Sequence, residues 1–139
     1  MQVSPYLNFN GDCREAFEFY SRATGCPTLA MMTFGDAPGD FPMPPDWKDK
    51  IIHARILIGQ TMLMGSDAPP GRQSTLGGFG VSLNVDTDAD AERILKALSE
   101  GGEVTMPMGE TFFATRFGMA KDKFGVMWMV VHEKPMGGQ

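Results

Sequence analysis

The chain of 139 residues carries one order of elements twice: strand, helix, then three strands, on either side of a polar stretch. Residues 3–9, V-S-P-Y-L-N-F, alternate and hold aromatic residues as a strand does, and Pro5 suits an edge or a strand start. Asn10-Gly11-Asp12 breaks the strand, and Asp12 followed by Glu15 has the spacing of a capping box. Cys13, Ala16, Phe17 and Tyr20 then share one helical face; Gly25 ends the helix and Pro27 blocks its resumption. Residues 28–34 read as a second strand, and residues 51–67 as a hairpin. After the linker the plan restarts. Residues 79–85 form a strand, Thr87 caps a helix with Asp90 in the capping-box position, and Ala91, Ile94, Leu95 and Leu98 repeat the apolar stripe. Gly101-Gly102 stops that helix, residues 103–113 make an irregular strand broken by Pro107 and Gly109, and residues 114–121 and 126–132 close as a hairpin.

One such module has a sheet covered by its helix on one face and bare on the other. Pairing two modules closes the bare faces toward each other. The predicted fold is therefore α+β: tandem βαβββ modules forming a curved mixed sheet around a cleft, with the helices outside. A single domain over residues 1–139 is expected, with module one at about 1–67, a linker at 68–78 and module two at about 79–134.

The hairpin over residues 51–67, I-I-H-A-R-I-L-I-G-Q-T-M-L-M-G-S-D, turns at Gly59-Gln60, because glycine tolerates the positive φ of a two-residue hairpin turn. With Ile58 and Thr61 flanking the turn, Leu57 faces Met62, Arg55 faces Met64 and His53 faces Ser66. The opposite face, Ile52, Ala54, Ile56 and Ile58, reads as core. A face of His, Arg and Met suits neither solvent nor a dry core, and points to a ligand surface. Between residues 35 and 50, four prolines and two glycines exclude helix or central strand. Phe41, Met43 and Trp47 are the apolar anchors of this loop, which reads either as a lid over a cavity or as a patch on the core surface.

Charge and composition remove several functions. There are 12 basic and 17 acidic residues, and the basic ones are scattered, which disfavours nucleic acid and anionic membranes as partners. No signal-like start precedes the first strand, and the longest apolar run, Val126 to Val131, is far short of the roughly 20 residues a spanning helix needs. A cytoplasmic location is expected. Cys13 and Cys26 offer no C-x-x-C spacing, and Cys13 sits in the apolar stripe, where a buried structural thiol is the expectation. Phosphate-cradling glycine loops and a nucleophile with an adjacent base are not legible, and no cofactor is implied.

Three stretches in order, Y-L-N-F-N-G-D-C-R-E-A-F-E-F-Y, I-x-H-A-x-I-x-I-G-Q-x-x-L-M-G-S-D and D-K-F-G-V-M-W-M, resemble the PhnB-like branch of the vicinal oxygen chelate superfamily, which includes glyoxalase I and the bleomycin-resistance proteins. The resemblance covers nearly the whole chain and implies a tandem βαβββ fold and a homodimer. Metal-dependent relatives hold one divalent ion with four side chains, and by this resemblance those positions fall on Pro5, Met64, Gly80 and Met129. Neither a hard oxygen nor an imidazole is among them, so the customary metal is not expected. The methyltransferase label sometimes attached to the branch would need a cofactor-binding βαβ unit, which is not legible.

If Met64 and Met129 face a cavity, alternation adds Met62, Met127 and Val131, and pairing Asp122 with Gly125 adds Ala120, Gly118 and Arg116. Trp128, on the opposite face, should pack under the second helix. His53, Arg55, Met62, Met64, Arg116, Met127 and Met129 are thus the candidate ligand-binding residues, with arginine orienting an anionic or carbonyl oxygen. His53 and Glu110 are the candidate catalytic residues; Phe112 and Phe113 lie near the cavity mouth, and His132 is expected to be solvated. Two functions follow. The first is a metal-free binding protein for an amphipathic or anionic small molecule. The second is a lyase or isomerase using His53, Glu110 or a relocated metal site.

Overall fold

The computed structural model describes residues 1–37, 39 and 42–135, in two compact units, Met1–Leu76 and Gly77–Gln139. The first unit runs β1 (Tyr6–Phe9), α1 (Cys13–Thr24), β2 (Thr28–Thr33), a short 3-10 turn (Phe34–Asp36), β3 (Ile51–Ile58) and β4 (Thr61–Asp67). Its sheet has the order β1-β4-β3-β2, with β1 parallel to β4 and the other pairs antiparallel. The second unit repeats this with β5 (Val81–Asn84), α2 (Asp88–Leu98), β6 (Glu103–Gly109), β7 (Ala114–Lys121) and β8 (Met127–Glu133), in the order β5-β8-β7-β6. The fold is α+β, two helices and two mixed sheets, and the duplicated plan holds down to strand order. Pro107 is accommodated because β6 is an edge strand, where a missing N–H costs no ladder bond.

Each helix buries its stripe on one face of its own sheet. Cys13, Ala16, Phe17 and Tyr20 are 0% exposed, as are Leu7, Ala54 and Ile56. Gly65 lets α1 approach closely, since a Cβ there would lie 2.8 Å from Phe17 Cε1 and 3.0 Å from the Leu7 carbonyl oxygen. Gly118 serves α2 likewise: a Cβ would come within 2.6 Å of Leu95 Cδ2. Ala91, Ile94, Leu95 and Leu98 are buried with Val130 and Trp128, so Trp128 packs on the helix-covered side of its sheet.

Three local expectations are corrected. Asp12 makes no side-chain cap; instead the buried carboxylate of Asp67 reaches across from the end of β4, its Oδ1 accepting the Gly11 and Cys13 N–H groups at 2.9 Å and its Oδ2 that of Ile51 at 2.9 Å. Ile52 is the extra residue of a β-bulge, because Thr33 pairs with Ile51 while Met32 pairs with His53. Ile51 is therefore the fully buried residue, and Ile52 is only half-buried rather than core. The closing hairpin is displaced by one residue. Asp122 pairs with Val126, not Gly125, because its Oδ1 accepts the Phe124 and Val126 N–H groups and its Oδ2 that of the Trp128 indole. Lys121 consequently pairs with Met127, and Met119 with Met129. A one-residue slip exchanges faces, so Arg116, Gly118 and Ala120 lie with Trp128 and Val130, not with the methionines.

Candidate functional site

In the first unit, alternation along β1 and β4 sends Leu7, Phe9, Leu63 and Gly65 toward α1 and leaves Tyr6, Asn8, Met62, Met64 and Ser66 on the face away from it. The register then assembles a row across the sheet: Tyr6 pairs with Met64, Met64 with Arg55, and Arg55 with Ala30. Met62 lies one pleat away opposite Leu57, as the Gly59-Gln60 turn predicts. His53 stands beside Met32, and its Nδ1 lies 3.3 Å from the Tyr6 hydroxyl, the two rings stacked with centroids 5.9 Å apart. The phenol gives His53 an oriented partner that its strand context alone does not reveal. Arg55 is exposed and forms no ion pair among the described residues.

Tyr6 is the principal residue missed by reading the hairpin alone. Its alternation with the core residues Leu7 and Phe9 is visible in the sequence, but its place beside Met64 depends on β1 pairing in parallel with β4, a contact between residues 58 positions apart. Pro5 lies just before β1 and contributes its backbone: its carbonyl accepts the Met64 N–H at 3.1 Å.

Beyond this row the face ends in a pocket of about 650 Å³. Asn8 and Ser66, a directly paired couple, form its floor with Ile52, which the bulge turns this way. Phe34, Met43 and Pro44 also line it, as do Arg72 and Ser74 from the 68–78 linker. The 35–50 loop is tied to its own unit. Trp47 packs edge-on against Phe34 with centroids 6.3 Å apart, Lys50 donates to the Gly11 carbonyl at 2.8 Å, and Arg14 donates to the Asp49 carbonyl at 3.2 Å. Phe41 lies outside the described residues.

In the second unit, Met119, Met127 and Met129 share the face turned away from α2, with Ser82 paired to Met129. Arg116 is on the helix side, where its Nε lies 3.2 Å from Glu92 Oε1 and its Nη1 is 4.0 Å from Asp88 Oδ2. His132 is not merely solvated: its Nδ1 lies 2.7 Å from Asp88 Oδ1, which also accepts the Thr115 hydroxyl at 2.6 Å. These two bonds, the threonine's first, hold the Asp88 carboxyl below its ordinary value. Glu110 is largely exposed and paired with Lys134 at 2.9 Å. Phe112 is 93% exposed and stacks edge-on against Phe113, centroids 5.1 Å apart.

The donor set at the metal positions implied by resemblance does not fit a divalent ion. Met64 offers a thioether beside Tyr6, and Met129 another near Gly80, whose added Cβ would lie 3.5 Å from Met129 Cε. Among the described residues no three His, Cys, Asp or Glu side chains converge on a common point. Burial pushes the Cys13 thiol well above its ordinary range, which leaves it a poor nucleophile. No helix of the described residues is long and apolar enough to cross a membrane.

Comparison with known proteins agrees with this architecture. The chain is 34% identical to Protein YjdN of Escherichia coli, with 97% of this chain and 99% of that protein covered. It is 51% identical to protein PA1353 of Pseudomonas aeruginosa, whose crystal structure superposes with a TM-score of 0.88 over 97% of this chain and 99% of that one. A PhnB protein from Bacillus cereus, 21% identical, shares the fold with a TM-score of 0.78 over 95% and 99% of the two chains. Residues 3–130 match the model of one family, and the chain belongs to the Glyoxalase/Bleomycin resistance protein/Dioxygenase superfamily.

Proposed function

We propose that this is a small-molecule-binding member of the superfamily that works without the divalent metal centre of glyoxalase I, taking an amphipathic or anionic metabolite on the open face of the first unit's sheet. The observation that carries this reading is the row Tyr6, Met64, Arg55, with a guanidinium that forms no ion pair among the described residues beside a thioether, and the Tyr6–His53 pair next to it. A guanidinium with no carboxylate partner supplies fork-like donors to an oxyanion, while methionines adapt to differing apolar shapes. Thioethers where the family's ligands stand favour binding over hard-metal chemistry. Thermal-shift screening against metabolites and antibiotics at millimolar concentration, with and without EDTA, tests it. A stabilising ligand whose effect survives EDTA is expected, since at 100 times Kd binding adds about 2.7 kcal/mol. Finding no stabilising ligand, or one that needs added metal, would count against it.

The Tyr6–His53 contact also supports a second reading, an enzyme with His53 as general base oriented by the phenol. Any turnover found by screening should then fall at least 100-fold in His53→Ala; retained turnover removes the assignment.

A further inference from the structure

The pocket at the end of the open face has chemistry of its own. Asp67 reaches its lining, yet both carboxylate oxygens already accept from three backbone N–H groups, which stabilise its negative charge without cancelling it. Arg72 is the one cation among the lining residues and makes no ion pair among the described residues. The side chains of Asn8 and Ser66 have no hydrogen-bond partner among the described residues, and so offer neutral donors on the floor. Phe34, Ile52 and Met43 supply the apolar part of the lining. About 650 Å³ lies within the range of small-molecule sites.

We infer that this pocket binds a small monocarboxylate with an apolar body, its carboxylate held by Arg72 with Asn8 and Ser66 and its body against Phe34, Ile52 and Met43. One guanidinium with neutral donors matches a single negative charge. A phosphate dianion would keep a charge uncompensated in a chain of net charge −5. The inference goes beyond the binding row around Arg55 and does not require that row to be occupied.

Hexanoate and 1-hexanol share a chain and differ in charge, which makes them the probes. Protein labelled with ¹³C at methionine and isoleucine methyls reports each wall separately. Hexanoate should shift Met43 and Ile52 saturably, at least tenfold more tightly than hexanol. Arg72→Gln should weaken hexanoate at least fivefold and leave hexanol unchanged, with Arg72→Lys in between; the exposed loop position lets both variants fold. Inorganic phosphate should not displace hexanoate. Equal affinity for the two probes, indifference to Arg72→Gln, or displacement by phosphate each overturns the assignment. A response at Met64 that Arg55→Gln abolishes, with Met43 and Ile52 silent, also overturns it while sustaining the binding row. The reverse pattern supports the pocket and speaks against the row.

Discussion

Asp67 ties three segments of the first unit together. Its three short bonds join the start of α1, the start of β3 and the end of β4, and its burial to 2% exposure leaves no water to replace them. Asp67→Ala would strand three N–H groups and should cost about 3 kcal/mol or more in a denaturant titration, with Asp67→Asn costing less because it keeps an acceptor. A near-neutral Asp67→Ala would contradict the stapling role. This partnership was not legible in the sequence, because capping rules look three residues ahead, to Glu15, whereas the true acceptor lies 54 positions downstream of Cys13. By contrast, the buried stripe of Cys13, Ala16, Phe17 and Tyr20 was legible in full, since helical periodicity is a local property.

Among elements, turn chemistry decides what a sequence gives away. The β3–β4 hairpin has the register its two-residue glycine turn implies, so Arg55 opposite Met64 was legible. The β7–β8 turn looks similar, but the Asp122 carboxylate gathers the Phe124 and Val126 N–H groups and lengthens the loop by one residue. That slip moved Arg116 from the methionine face to the helix face and into contact with Glu92. The Ile52 bulge escaped notice because nothing in I-I-H-A marks which isoleucine is extra. Helix seating makes a separate demand. Gly65→Ala would push a methyl into Phe17 and the Leu7 backbone, and should destabilise by about 1–3 kcal/mol by chemical denaturation; an unchanged midpoint would mean that α1 seats differently. At α2, the carboxyl of Asp88 is held low by Thr115 and His132, so the folded state binds its proton less readily than the unfolded chain. Its contribution is complete above the ordinary value of 3.8 and is lost as pH falls through the lower folded value. Asp88→Asn should therefore lower the melting temperature at pH 7 and flatten the loss on acidification below about pH 4, as followed by circular dichroism.

Over the whole molecule, the duplicated plan was readable because each half repeats its own punctuation, and the superfamily follows from it together with the three shared stretches. The candidate site was readable only in part. Arg55, Met62, Met64 and His53 share the open face of the first unit, and Met127 and Met129 that of the second, as alternation predicts. Ser66 was placed on the first unit's open face by the hairpin register, whereas Tyr6, Asn8, Ile52 and Arg72 emerged from parallel strand pairing, a bulge and a linker fold, none of which has a local signature. The central claim is metal-free binding anchored by Arg55. Calorimetry in EDTA, using the best ligand from the metabolite panel with wild type and Arg55→Gln, tests it most directly. Binding should persist in EDTA and weaken about tenfold, roughly 1.4 kcal/mol, in Arg55→Gln; binding that vanishes in EDTA and returns with a divalent metal, or that ignores the substitution, would contradict it.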